Sequence, residues 1–172
     1  MRRLLLIIVG LSVAISISHA QVRTEQLLER GWRFTREDDA SFSEVEYDDS
    51  AWREVIVPHD WAIEGPFSIN NDLQNMAIAQ DGQKQAMEHA GRTGGLPFVG
   101  VGWYRLEFEV PTFKEGKRAT LIFDGAMSHA RVYVNGAEVG FWPYGYNSFH
   151  FDITPYIKAG EKNMLAVRLE NK

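Results

Sequence analysis

The clearest pattern lies in the second half of the chain. Trp103-Tyr104-Arg105-Leu106-Glu107-Phe108-Glu109-Val110 alternates apolar and polar positions with period two and stops at Pro111, which predicts a half-buried strand. Arg118 to Phe123 repeats the pattern and ends at Asp124-Gly125. Ala130 to Val134 and Ala137 to Phe141 flank Asn135-Gly136, a two-residue hairpin signal because both turn residues must take positive φ. Ser148 to Ile153 and Met164 to Leu169 predict two more strands. Between them, Thr154 stands where a helical N-cap would, Pro155 follows at the first helical position, and Gly160 ends the turn.

The first half is less regular. Glu25 to Arg30 is open to a helical turn, whereas Trp32 and Phe34 after Gly31 read as a strand, and Ala51 to Val57 as another closed by Pro58. Asp38-Asp39-Ala40-Ser41 and Asp48-Asp49-Ser50 are turn clusters, and residues 62–100 have little periodicity but much Gly, Asn and Gln. A connection that long is usually functional or flexible. Short strands with frequent turns and no βαβ rhythm predict an all-β sandwich or jelly roll.

Residues 1–20 stand apart from this pattern. Arg2 and Arg3 precede an apolar run, and Ser18-His19-Ala20 has small residues at its first and last positions, as at a signal-peptidase site. The run is shorter than the roughly 20 residues of a membrane span. The expected organisation is a signal peptide over 1–20, cleaved after Ala20, and one β-sandwich domain over 21–172, exported to the periplasm or the medium with no membrane attachment.

Composition narrows the chemistry. The chain of 172 residues has no cysteine, a formal net charge of -5 and 12% aromatic residues. Thiolate zinc sites and cysteine nucleophiles are excluded. An acidic balance without a Lys/Arg block argues against nucleic acid. His59, His89, His129 and His150 lack metal-ligand spacing, and no nucleophile elbow or phosphate loop occurs. No catalytic residue, metal or cofactor is expected within these residues. Trp32, Trp52, Trp61 and Trp103 are expected in the core, His59 and Asp60 in a buried hydrogen-bonded corner, and Arg131 and Glu138 paired across the hairpin; His129 and His150 receive no role.

Four blocks carry a resemblance. Pro58-His59-Asp60-Trp61-Ala62-Ile63-Glu64-Gly65-Pro66-Phe67, Gly91-Arg92-Thr93-Gly94-Gly95-Leu96-Pro97 leading to Gly102-Trp103-Tyr104-Arg105, Phe123-Asp124-Gly125 leading to Val132-Tyr133-Val134-Asn135-Gly136, and Gly145-Tyr146 with Phe149 to Thr154 follow in order. They resemble the N-terminal sugar-binding jelly roll of β-galactosidase-type glycoside hydrolases of family 2. The resemblance implies a non-catalytic domain joined to a downstream catalytic domain with two glutamates on a barrel. It also implies closing strands with a G-I-x-R-type motif, for which no match occurs before Lys172. β-Glucuronidases and β-mannosidases of the family share the hairpin and the jelly roll and are the alternatives, with the first two blocks favouring the galactosidase type; a free-standing lectin-like module is the other reading.

A sugar offers hydroxyls for paired hydrogen bonds and a C–H face for an aromatic ring. On that ground Asn71, Asp72, Arg92, Trp142, Tyr146 and Asn147 are the candidate contacts to a β-galactoside-like glycan. The best-known β-galactosidases carry an aspartate in the loop after the hairpin, where this chain has Pro143-Tyr144-Gly145-Tyr146-Asn147.

Overall fold

The computed structural model describes residues 23–68, 71 and 98–171. They form two antiparallel sheets. The larger has six strands in the order β2-β1-β3-β8-β5-β6, and the smaller pairs β4 with β7. The strands are β1 (Trp32–Thr35), β2 (Arg53–Val55), β3 (Val101–Glu109), β4 (Thr120–Phe123), β5 (Ala130–Val134), β6 (Ala137–Trp142), β7 (Phe149–Asp152) and β8 (Lys162–Glu170). The all-β sandwich expected from the sequence is therefore observed.

Period-two alternation builds the layers. Tyr104, Leu106 and Phe108 of β3, Leu165 and Val167 of β8, and Val132 and Val134 of β5 face the small sheet, which contributes Leu121, Phe123 and Phe151. β3 and β8 form the spine, paired over nine residues from Val101↔Glu170 to Glu109↔Lys162. The outer face is covered as well. Phe42, Tyr47 and Trp52 pack there on Trp103 and Ala166.

Arg105 holds that outer cover. It is fully buried on β3, and its Nε donates to Asp49 Oδ2 at 2.7 Å. Its Nη1 donates to the carbonyls of Phe42 and Glu44, and its Nη2 reaches those of Val45 and Tyr47. A planar five-donor guanidinium can satisfy a ring of carbonyls that no other side chain could. The four core tryptophans are 2–8% exposed, as expected.

Asn135 and Gly136 take φ of 51° and 81°, the geometry required by the tight β5–β6 hairpin. One extra residue, Val139, bulges β6 between the Val132↔Gly140 and Tyr133↔Glu138 pairs. Arg131 and Glu138 pair across it at 2.9 Å.

Two local expectations fail. Residues 23–29 are not helical; Glu29 instead accepts the Val57 amide at 2.9 Å, so this segment is held beside the chain leaving β2. Thr154 is not an N-cap. Its hydroxyl accepts the Ala119 amide at 2.9 Å, and Asp152 accepts the Thr154 amide at 3.0 Å, which leaves a turn rather than a helix. In both places a long-range backbone partner outweighs a local helical preference too short to stand alone.

Candidate functional site

Antiparallel pairing brings six strand termini to one end of the sandwich. The starts of β3, β5 and β7 and the ends of β4, β6 and β8 lie together, as the pairs Val101↔Glu170, Ala130↔Trp142 and Phe123↔Phe149 show. Two loops close this end, residues 124–129 and 143–148, with 98–100 and Asn171 beside them.

Backbone bonds fix both loops. Ser128 and Glu170 exchange amide–carbonyl bonds at 2.9 and 3.2 Å, and His129 donates its amide to the Pro143 carbonyl at 3.2 Å. Gly145 lies so close to Met127 that a Cβ there would sit 2.8 Å from its Cγ and 3.0 Å from its Cα. Only glycine allows the two loops this approach. Asn171 ties down the neighbouring strand entry, accepting the Gly100 amide at 2.7 Å and donating to the Phe98 carbonyl at 2.8 Å.

The candidate residues divide by what their side chains already do. The Trp142 ring is half-buried and stacks on Phe149 at 5.5 Å, and Phe149 stacks in turn on Phe123 at 4.7 Å. The Trp142 Nε1–H donates to Asn147 Oδ1 at 3.2 Å. That bond occupies the amide oxygen and turns the Asn147 NH₂ group into the available donor of an exposed residue. Tyr144 and Tyr146 are 56% and 74% exposed, with ring centroids 5.6 Å apart. Tyr146 and Asn147 thus belong to one loop with Tyr144, and Trp142 ends the strand that leads into it. Asn71 is half-buried and donates its amide to the Pro66 carbonyl at 2.7 Å. Asp72 and Arg92 lie outside the described residues.

The His59 corner sits where the chain enters the long connection. Its Nδ1 lies 2.8 Å from the Tyr104 hydroxyl, and its Nε2 lies 3.2 Å from both Glu64 Oε1 and Arg53 Nη2. Arg53, hydrogen-bonded to Glu64, holds that carboxyl below its usual range. Burial, with Asp60 and Glu64 nearby, pushes the Tyr104 phenol well up, so it stays protonated. His59 joins β2, β3 and the turn after Trp61 in a hydrogen-bonded corner, but the corner is not buried as expected: His59 is half-buried, and Asp60 is exposed and accepts the Ala62 amide at 3.0 Å.

An ion pair that the sequence reading missed borders the loop end on the outer face. Asp38 accepts from Arg168 Nη2 at 2.7 Å and from Trp103 Nε1 at 2.8 Å. The Arg168 hydrogen bond is the main reason its carboxyl is held below the ordinary value. No local signal could have found the pair, because Asp38 and Arg168 are 130 residues apart in the chain. Among the described residues no group of three or more His, Asp or Glu could hold a metal ion.

An antiparallel sandwich that presents exposed tyrosines and an oriented amide on one loop end has the architecture of a carbohydrate-binding β-sandwich module. The chain belongs to the sugar binding domain family of the glycosyl hydrolases family 2, whose model matches residues 26–171. It is 40% identical over 140 residues to a β-galactosidase of Bacteroides ovatus, covering 81% of this chain and 14% of that protein. A β-glucuronidase of Bacteroides fragilis is 30% identical over 153 residues, covering 89% of this chain and 17% of that protein. A solved glycosyl hydrolase family 2 member of Bacteroides cellulosilyticus superposes with a TM-score of 0.68 at 32% identity, covering 86% of this chain and 18% of that one. The chain thus spans less than a fifth of the length of these relatives.

Proposed function

We propose that this chain is the non-catalytic N-terminal domain of an exported retaining glycoside hydrolase of β-galactosidase type. Its part in the reaction is to contact the sugar from the loop end and to support an active site carried by a downstream catalytic domain. The observation that carries this reading is the 143–148 loop, where Tyr144 and Tyr146 stand exposed and Trp142 orients the Asn147 amide. Rings of this kind offer a face to sugar C–H groups, and the amide donates to a hydroxyl. A retaining glycosidase needs an acid/base and a nucleophile carboxylate about 5 Å apart at the C-terminal ends of barrel strands. On this reading those two glutamates belong to the downstream domain, and the present loops restrict how the glycoside lies against them.

The 40% identity to a β-galactosidase supports the galactoside reading. A β-glucuronidase-type enzyme is the second reading, supported by the similarity to a Bacteroides uniformis β-glucuronidase structure with a TM-score of 0.62. Export rests on Arg2, Arg3 and the apolar run to Ala20. The test is hydrolysis of nitrophenyl β-galactoside, β-glucuronide and β-mannoside by the full-length gene product. Preference for the galactoside is expected; preference for the glucuronide would favour the second reading, and no turnover of any of the three would reject both.

A further inference from the structure

His129 was given no role by its sequence context, but the geometry of the loop end assigns one. Ser128 Oγ lies 2.6 Å from the Glu170 carbonyl oxygen, which can only accept, so the single hydroxyl proton points there. The same Oγ lies 2.9 Å from His129 Nδ1. With its proton already committed, the hydroxyl accepts from this nitrogen, and Nδ1 must carry a hydrogen. In the neutral ring the lone pair therefore resides on Nε2.

His129 is exposed, and Nε2 has no hydrogen-bond partner among the described residues. The ring is not free to turn away. The backbone holds φ at 49°, the amide is bonded to Pro143, and the ring lies against Phe141 with centroids 6.2 Å apart. Pro143 precedes Tyr144, so His129 is fixed to the base of the loop that presents the tyrosines and Asn147. These side chains are complementary in kind: Asn147 presents donors, whereas His129 presents an acceptor.

We infer that His129 Nε2 is a hydroxyl-accepting contact for a neutral sugar at the loop end, with Ser128 and the Glu170 carbonyl as the positioning pair that fixes its tautomer. This rests on the sugar-binding reading above and adds to it an acceptor of defined protonation. The ligand group it takes is a sugar hydroxyl.

The variant that isolates the role is His129→Asn. Asparagine tolerates positive φ, and its Nδ2 can replace the Nδ1–H donated to Ser128, but it has nothing at the position of Nε2. Two measurements on the full chain test the inference. First, ¹⁵N NMR of the neutral imidazole, assigned by loss of the signal in His129→Asn, should show a protonated Nδ1 and a bare Nε2; Ser128→Ala should erase that preference. An Nε2–H tautomer in the unsubstituted chain would overturn the inference. Second, titration with methyl β-galactoside and its monodeoxy derivatives should show about fivefold weaker binding in His129→Asn at unchanged melting temperature. One deoxy derivative should lose affinity for the unsubstituted chain but not for the variant. Equal binding by both chains would overturn the role of His129 and leave the sugar-binding reading standing. No saturable binding by the unsubstituted chain would overturn both.

Discussion

The two ends of the sandwich treat polar side chains in opposite ways. At the hairpin end Asn163 is 2% exposed and all its hydrogen-bonding capacity is engaged inside the protein. Its oxygen accepts from Asn135 Nδ2 and the Lys158 amide, and its NH₂ donates to the Lys158 and Glu161 carbonyls. Asn135 completes the set by donating to Tyr156 and accepting from Met164. At the loop end the backbone is held as firmly, through Ser128, Glu170, His129 and Pro143. There, however, Tyr144 and Tyr146 are exposed, and the Asn147 NH₂ group has no partner among the described residues. A fixed backbone with uncommitted side chains is what a ligand site requires, because the ordering cost is met before the ligand arrives.

The comparison breaks most readily at its structural end. Asn163→Ala removes the acceptor of the Lys158 amide and of one Asn135 Nδ2 proton, and the donor to the Lys158 and Glu161 carbonyls, in a part-buried setting. Each orphaned group costs about 1–3 kcal/mol, so urea unfolding should show a loss of about 3 kcal/mol. A loss under about 1 kcal/mol would mean that the network is not the clamp described. The loop end should respond differently. Gly145→Ala places a methyl against Met127 and must push the two loops apart, at a cost of about 1–2 kcal/mol. The same variant should lose sugar binding, whereas Asn163→Ala should keep it wherever the domain remains folded.

Acid should act on the outer border of the loop end. Because the folded-state carboxyl of Asp38 titrates below its ordinary value of 3.8, its pairing stabilises the domain above that value. The contribution falls away as pH drops through the lower folded-state value. Asp38→Asn should therefore be less stable than the parent at neutral pH, and the difference should close as pH falls below about 4. A gap independent of pH would show that the ion pair contributes little to the difference.

The fold was legible where side-chain chemistry and local pattern agree. The alternation in β3, the Asn135-Gly136 turn, the four core tryptophans and the Arg131–Glu138 pair all follow from residues near one another in sequence. Arg105 reads as a polar position on an alternating strand, yet it is fully buried because Phe42 to Tyr47 bring their carbonyls to it from about 60 residues away. Thr154 misled for the same reason, since its partner Ala119 lies 35 residues distant. At the candidate site, Trp142, Tyr146 and Asn147 could be chosen by chemical type from one short stretch of sequence. That Trp142 stacks inward and aims the Asn147 amide depends on Phe149 arriving from β7. His129 could not be chosen, because its tautomer is set by a carbonyl 42 residues from Ser128.

The smallest expected change in stability accompanies the most informative change in function. Tyr146 is 74% exposed, so Tyr146→Ala should leave the unfolding free energy within about 0.5 kcal/mol of the parent. Calorimetric titration of the full chain with methyl β-galactoside should then show saturable binding that weakens about tenfold in Tyr146→Ala, the loss of about 1.4 kcal/mol of ring–sugar contact. Binding that is absent in the parent, or equal in parent and variant, would contradict the assignment of the loop end as the sugar site.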